Sequence, residues 1–208
     1  MEFSTTQGKN GKVNIFTDGE FRFAVSAFVY HSFPFRDGDD VTEEELAALK
    51  ASSDAERAHE SALRMLTARA HGEQELYRKL RQKYDDTAAQ SAVDRCREAG
   101  LIDDEAYAAD LAEELFRRKA FSPERIRTEL ICRGVDKEIA ENAAEALDID
   151  RDSGIIQILA KMRITDDSPK KDKARAVRRL MNAGYSFSEA RRAMTDQGIS
   201  LNGELDRN

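Results

Sequence analysis

The feature that most constrains this chain is an internal repeat with a period of 50 residues. The window "YRKLRQKYDD", which ends at Asp86, returns as "IRTELICRGVD" and again as "VRRLMNAGYS", which ends at Ser186. Apolar residues fill two columns of the repeat, one turn apart on the same face of a helix. The columns contain Leu76, Ile126 and Ala176, and then Leu80, Leu130 and Leu180. Self-similarity at a fixed period predicts a mainly α fold of tandem helical repeats.

Residues that cap helices also recur. Gly, Ser or Asp stands four residues before the first apolar column, and Asp or Ser stands six residues after the second. These residue types suit the free N–H groups at a helix start, so both columns predict N-caps. They are Gly72, Ser122 and Asp172, and then Asp86, Asp136 and Ser186. Gly134 and Gly184 suit the left-handed residue that ends a helix, whereas Tyr84 occupies that column in the first copy.

The N-terminal region shows strand periodicity. Val13 and Ile15 precede "TDGE", and Phe21, Phe23 and Val25 follow it. Asp-Gly between two alternating apolar runs is typical of a β-hairpin. The aromatic segment that follows predicts a short helix or a third strand packed on the hairpin, because two strands alone are only marginally stable.

The helical part begins with an acidic, alanine-rich helix. Thr42 and Glu45 predict a capping box at its start, and Ser186 and Glu189 predict another near the end of the chain. Whether residues 52–54 end or bend the first helix stays open. We predict a hairpin region over 1–41, a connecting helix over 42–61, three-helix repeats over 62–102, 103–150 and 151–195, and a frayed tail over 196–208.

The composition limits the classes of function. No apolar run approaches the ~20 residues of a membrane helix and no signal peptide is recognised, so we expect a cytoplasmic protein without membrane contact. Cys96 and Cys132 are interpreted as reduced core residues, and Asp103 and Asp104 as helix-capping acids. The histidines share no ligand spacing, and no nucleophile and base can be paired. We therefore expect no metal, no cofactor and no enzymatic activity.

Charge is divided unevenly along the chain. Residues 101–150 hold seven basic and fourteen acidic side chains, whereas residues 151–208 hold twelve basic and eight acidic ones. A basic cluster favours phosphate binding, and an acidic surface suits a basic protein partner. Solvated helix faces balanced by nearby acids are the alternative. We predict an interaction surface that comprises Lys170, Lys171, Lys173, Arg175, Arg178, Arg179, Arg191 and Arg192 in the third copy and Arg69, Arg78 and Arg81 in the first.

Four segments together resemble the RecX family, whose members are bacterial regulators of the RecA recombinase. In order, they are "ALRMLTARAHGEQELYRKLRQK", "GLIDDEAYAADL", "SPERIRTELICRGV" and "VRRLMNAGYSFSEARRAM", within about residues 60–195. The matching positions are Arg69, Glu75, Leu76, Leu80, Gly100, Ile102, Asp103, Asp104, Tyr107, Ile126, Leu130, Gly134, Leu180, Gly184 and Tyr185. Most are packing or turn positions, so the resemblance identifies the scaffold better than its contact surface.

The resemblance implies an elongated, curved monomer of tandem three-helix units that are similar to helix-turn-helix units. Such a molecule would lie in the groove of a RecA–DNA filament and bind it, or nucleic acid, through the basic surface. The implied role is negative regulation of recombination and the SOS response. It would block filament extension or promote disassembly, and so inhibit ATP hydrolysis, strand exchange and co-protease activity. Direct contact with single- or double-stranded DNA is left open.

Two other interpretations stay open. A helix-turn-helix transcriptional regulator would place residues 186–194, with Arg191 and Arg192, in a DNA major groove. No single copy carries an obvious set of base-reading side chains, which counts against this interpretation. A helical scaffold for an unrelated protein partner would have no effect on recombinase filaments.

Overall fold

The computed structural model describes residues 1–147 and 150–201. Over this part the chain is mainly helical, with ten α-helices and one three-stranded antiparallel sheet. The predicted fold of tandem three-helix repeats with a small N-terminal β region is confirmed. The predicted frayed tail lies outside the described residues from position 202 onward. The chain divides into two compact units, residues 1–102 and residues 103 onward.

The sheet contains the predicted hairpin and one further strand. Its strands are β1 (Phe3–Gln7), β2 (Lys12–Thr17) and β3 (Glu20–Ser26), in that order across the sheet. Asp18 and Gly19 join β2 to β3 with φ angles of 49° and 77°, as a tight hairpin turn requires. The segment after β3 forms the short helix α1 (Ala27–His31). The third strand, β1, instead comes from the N-terminus, where only one large apolar residue signals it.

A β-bulge at Arg22 changes the predicted alternation in β3. Ile15 pairs with Phe23, but its neighbour Phe16 pairs with Phe21, so Arg22 has no partner position in β2. Phe23 packs against the core beneath the sheet, and the extra residue turns Phe21 to the opposite face, where it is 58% exposed. The alternation of Phe21, Phe23 and Val25 in the sequence therefore does not place Phe21 on the face that carries Phe23.

The helix α2 (Glu43–Ala68) is a single helix of 26 residues. The predicted capping box starts it: the Glu45 N–H donates to Thr42 Oγ1 at 3.2 Å, and the Thr42 N–H donates to the Glu45 carboxylate at 2.8 Å. The helix continues through residues 52–54, where Ser53 is buried. Its first half contributes leucines to the core beneath the sheet, and its second half contributes alanines to the core of the first repeat.

The remaining helices complete three helical repeats. The first repeat adds α3 (Glu73–Leu80) and α4 (Asp86–Glu98) to α2. The second repeat contains α5 (Asp104–Lys119), α6 (Pro123–Cys132) and α7 (Lys137–Glu145), and the third contains α8 (Arg151–Met162), α9 (Lys170–Asn182) and α10 (Phe187–Asp196). All six residues of the two repeated apolar columns are fully buried. The second and third repeats share one hydrophobic core.

Most predicted helix starts are confirmed, and two are corrected. The N-caps Gly72, Ser122, Asp136 and Ser186 lie where the repeat places them. The N-cap of α4 is Asp85, so Asp86 is the first helical residue. The helix α9 begins at Lys170, after Pro169, and Asp172 lies inside its first turn. Proline fits a helix start because no N–H bond is needed there, and it moves this start three residues ahead of the repeat.

The helix ends follow the predicted glycine column where glycine is present. Gly134 and Gly184 have φ angles of 92° and 97°, which only glycine adopts easily. In the first copy, Tyr84 is partly buried, and its hydroxyl lies 2.9 Å from Ser61 Oγ and donates to the Arg57 carbonyl at 3.1 Å. The first copy therefore ties the end of α3 to α2 with a side chain instead of a left-handed turn.

Two smaller expectations have different outcomes. Neither cysteine forms a disulfide bond. Cys96 is buried as predicted, but Cys132 is exposed, because it is the last residue of α6 and lies off the buried face. Asp103 is the N-cap of α5 and accepts from the Ala106 N–H at 2.9 Å, as the capping interpretation predicts.

Candidate interaction surface

The outer face of α9 carries a row of cations. Lys171, Arg175, Arg178 and Arg179 are all exposed, and their spacing of four, seven and eight residues places them on one side of the helix. The opposite side contains the buried residues Ala176, Val177 and Leu180. We call these four cations the basic α9 face. Because the apolar side of α9 packs against the core, the four cations on its other side are directed to solvent.

The basic α9 face is largely uncompensated by acids. Arg175 pairs with Asp172, one turn earlier, at 3.1 Å. In the described part of the chain, no carboxylate lies within ion-pair distance of Lys171, Arg178 or Arg179. Guanidinium groups without an internal partner can bind phosphate or carboxylate oxygens in a bidentate geometry. Lys170, the first residue of α9, is exposed beside this face.

Lys173 differs from its basic neighbours because it is buried, with 8% exposure. Its Nζ donates to Asp166 Oδ1 at 3.1 Å and to the Ser200 carbonyl at 3.0 Å. Asp166 also accepts from the Ser200 N–H and hydroxyl at 2.8 and 2.6 Å, and these bonds from Ser200 and Lys173 hold the pKa of Asp166 well below its usual range. Lys173 therefore anchors the C-terminal segment and is not part of the basic α9 face.

The burial of Lys173 could have been predicted from its spacing to the apolar residues of α9. It precedes Ala176, Val177 and Leu180 by three, four and seven residues, which places it on the buried side of α9. A long aliphatic stem can follow such an apolar side while its ammonium group finds polar partners at the edge.

A contact between two turns positions α9 against the second repeat. The Ser122 N–H donates to the Ala183 carbonyl at 2.9 Å, and the Ser122 hydroxyl donates to the Gly184 carbonyl at 3.1 Å. The buried Tyr185 hydroxyl donates to the Ala120 carbonyl, also at 3.1 Å. The turn that ends α9 is thus bonded to the turn that begins α6, and this contact fixes the orientation of the basic α9 face within its unit.

The two predicted arginines of α10 lie on a different helix. Both Arg191 and Arg192 are exposed. The Arg192 guanidinium donates to Asp152 in α8 at 2.8 Å, and this hydrogen bond raises the pKa of Arg192. One of the two side chains proposed to read DNA bases is therefore bonded to a neighbouring helix.

The three predicted cations of the first repeat are all engaged within their own unit. Arg69 forms a bidentate pair with Glu75, with N–O distances of 2.6 and 3.1 Å. Arg81 lies 3.2 Å from Asp86, and the Arg78 Nε–H donates to the Gln74 carbonyl at 3.2 Å. They are exposed, but their internal partners compete with any external ligand.

A buried histidine beside Arg69 was not singled out by the sequence. His71 is 4% exposed, with Nδ1 2.9 Å from the Arg69 carbonyl oxygen and Nε2 2.9 Å from Lys79 Nζ. Burial lowers the pKa of His71. A neutral ring protonated at Nδ1 satisfies both bonds, because it donates to the carbonyl and accepts from the ammonium group. His71 thus organises the turn before α3.

The second repeat presents an acidic cavity of about 500 Å³. It lies between α5 and the residues that follow α7, and Asp110, Glu113, Glu114, Phe116, Arg117, Ala146 and Leu147 line it. Three carboxylates beside a partly buried phenylalanine suit a basic side chain with an aliphatic stem. Three of the fourteen acidic residues counted in residues 101–150 therefore lie together at this cavity.

The basic α9 face and the acidic cavity can bind charged groups of the opposite sign. In residues 1–147 and 150–201, no group of three or more His, Cys, Asp or Glu side chains could hold a metal ion, and no helix is long and apolar enough to cross a membrane. The fold and its charged faces define a class of tandem three-helix-repeat proteins with separate basic and acidic surfaces.

Comparison with protein families identifies these helical units. Residues 58–96 match the family described as RecX, first three-helix domain, and residues 103–143 match RecX, second three-helix domain. A regulatory protein RecX from Mycobacterium sp. strain JLS is 32% identical over 160 residues, which cover 73% of this chain and 86% of that protein. Another from Caldanaerobacter subterraneus subsp. tengcongensis is 31% identical over 140 residues, which cover 67% and 71%.

Solved structures agree on the fold. A crystal structure of regulatory protein RecX has a TM-score of 0.62 and 21% sequence identity, covering 90% of this chain and 96% of that one. The structure of RecX from Lactobacillus salivarius has a TM-score of 0.55 at 20% identity, covering 71% and 98%. The chain belongs to the RecX family of regulatory proteins.

Proposed function

We propose that this chain is a negative regulator of homologous recombination that binds the RecA–DNA filament. It inhibits ATP hydrolysis, strand exchange and co-protease activity by blocking filament extension or promoting disassembly. The observation that carries the proposal is the basic α9 face, with Lys171, Arg178 and Arg179 unpaired in the described part of a RecX-family scaffold. Membership of the RecX family suggests the RecA–DNA filament as the partner, and the unpaired cations could bind its phosphate or carboxylate groups.

The two charged surfaces have complementary roles in this proposal. The basic α9 face binds DNA phosphates or acidic recombinase loops, and the acidic cavity of the second repeat receives basic side chains of the recombinase. A filament repeats its own subunits, so a chain of repeated helical units contacts several of them at once. Each contact then raises the effective concentration of the next, and modest individual affinities combine into tight binding.

The experiment is a titration of single-stranded-DNA-dependent ATP hydrolysis by a RecA recombinase. The protein is added either before or after filament assembly. Suppression at substoichiometric protein is expected, because one bound molecule stops the growth of a whole filament. If a folded protein leaves hydrolysis unchanged in both orders of addition, recombinase regulation is rejected, and the scaffold and DNA-regulator interpretations take its place.

A pair of variants tests the basic α9 face itself. Arg178→Glu with Arg179→Glu changes the net charge by four and is expected to weaken inhibition roughly tenfold or more. The salt dependence of DNA-filament binding should also fall by about one unit for each lost cation if phosphates are the ligand. The matched control is Lys83→Glu with Lys137→Glu, which reverses two exposed lysines outside α9. Equal weakening of inhibition by both double variants would show that total charge matters and the position does not. Unchanged inhibition by the α9 variant would reject the basic α9 face as the binding surface.

A further inference from the structure

The outer face of the N-terminal sheet carries a chemical pattern that the helical repeats do not explain. In β2 the buried residues Ile15 and Thr17 face the core. The alternate residues of this strand, Lys12, Asn14 and Phe16, therefore face outward. Strand pairing continues this face onto both neighbouring strands. We call it the outer sheet face, and its principal residues are Ser4, Thr6, Lys12, Asn14, Phe16 and Phe21.

An aromatic pair dominates the outer sheet face. The rings of Phe16 and Phe21 meet edge to face, with centroids 5.6 Å apart and an interplanar angle of 73°. Neither ring belongs to the hydrophobic core beneath the sheet, and Phe21 is 58% exposed. Without the bulge at Arg22, Phe21 would face inward with Phe23. A local change in register therefore places Phe21 beside Phe16 on the exposed side, away from the core beneath the sheet.

Polar and charged groups complete this surface. The outward positions within the three strands carry hydroxyl, amide and ammonium groups and no carboxylate. Asn14 Nδ2 donates to Thr6 Oγ1 at 3.2 Å, which fixes the amide beside the aromatic pair. Acidic residues are grouped near the Asp18–Gly19 turn, whereas Lys9 and Lys12 lie at the opposite end of the hairpin. A polyanion with flat apolar groups fits this polarity, with its flat groups on the rings and its phosphates toward the lysines.

The exposed apolar area is too small for a stable dimer interface. Phe21 at 58% exposure offers roughly 100 Å², whereas a stable protein interface buries about 800 Å² on each partner. Base stacking needs only one ring per base, and it tolerates any base because each has a π face. We propose that the outer sheet face binds single-stranded nucleic acid by stacking bases on Phe16 and Phe21.

The test uses a property of the sequence: the chain contains no tryptophan. Phe21→Trp therefore introduces a single indole at the proposed stacking position. It is studied in the background of Arg178→Glu and Arg179→Glu, so that the basic α9 face does not contribute. The probes are an oligothymidylate and an abasic deoxyribose-phosphate strand of equal length. We expect the oligothymidylate to quench the indole fluorescence and the abasic strand to leave it unchanged.

Binding affinity gives the second measurement, by fluorescence anisotropy of labelled oligothymidylate with the same α9 background. Phe21→Ala is expected to weaken binding roughly 5- to 100-fold, because one stacked base is lost. Phe28→Ala is the matched control, since Phe28 is 74% exposed but lies on α1. Equal effects of the two alanine variants, or equal quenching by both strands, would overturn the proposal. Unchanged oligonucleotide affinity of Phe21→Ala, with recombinase inhibition weakened when Phe21→Ala is made in the otherwise unaltered chain, would also overturn the proposal and assign the face to a protein partner.

Discussion

The substitution Gly184→Ala tests whether the contact between turns holds the second and third repeats together. Gly184 has a φ of 97° and follows α9, at the position where the second copy has Gly134. A Cβ at this position would lie 2.5 Å from Ser122 Oγ and 2.6 Å from Arg125 Cβ, so the two turns would have to separate. Ser122 is also the N-cap of α6, so its displacement affects that helix as well.

The magnitude follows from three terms. A side chain in the left-handed region costs about 1–2 kcal/mol. Loss of the Ser122 cap costs about 1 kcal/mol, and loss of its hydrogen bond to the Gly184 carbonyl costs about 1 kcal/mol. Gly184→Ala should therefore lower the free energy of unfolding by about 3–4 kcal/mol, a large part of the ~5–15 kcal/mol of a typical domain.

Gly198→Ala is the matched control in the same unit. Gly198 follows α10 with a φ of 71°, and the next residue, Ile199, bonds back to the helix as Tyr185 does after α9. Its Cβ would meet nothing within 4 Å, so only the conformational cost of about 1–2 kcal/mol applies. Urea unfolding followed by far-ultraviolet circular dichroism measures both variants. If their losses of stability are equal, the close approach of the turns contributes nothing, and the reasoning fails.

Three further predictions concern single bonds. Tyr185→Phe removes a buried bond to the Ala120 carbonyl and should cost about 1–2 kcal/mol in urea unfolding; no loss would mean that the carbonyl finds another donor. Thr42→Ala removes half of a capping box and should lower the melting temperature through a cost of about 1 kcal/mol, whereas Thr42→Ser should not. Because the folded pKa of Asp166 is lowered, its stabilisation is present above about pH 4, near the unfolded pKa, and is lost as pH falls further. The protection of the Ser200 amide against hydrogen exchange, relative to the intrinsic rate at each pH, should fall on this acid side, and Asp166→Asn should remove that pH dependence.

The repeat in the sequence determines most of the helical fold. A column such as Leu80, Leu130 and Leu180 is fully buried in each copy, so one pattern predicts three helices. The start of α9 departs from the pattern because Pro169 permits an earlier beginning. Local residue chemistry overrides the period there, and the period alone could not indicate it.

The strands and the surface were less predictable for a different reason. A bulge leaves no mark in an alternating pattern, so the outward turn of Phe21 depends on pairing with β2 that only the folded chain shows. The run of basic residues also does not show which cations are free to bind. The burial of Lys173 can be read from its spacing, but its polar partners, and the pairing of Arg192 with Asp152 across two helices, are long-range contacts that only the folded chain shows.

The repeat keeps its buried columns and changes its exposed ones, which explains how one scaffold can present different surfaces to one partner. In the column that ends in Arg179, the first copy has Lys79, paired with Glu75, and the second has Glu129, paired with Arg133. In the third copy this position holds Arg179, which pairs with no acid in the described part of the chain. Since the column recurs at one position of the helical framework, we expect a charge change there to alter binding more than packing. Specificity for a repeating assembly can therefore reside in the exposed columns, while the buried ones preserve the fold.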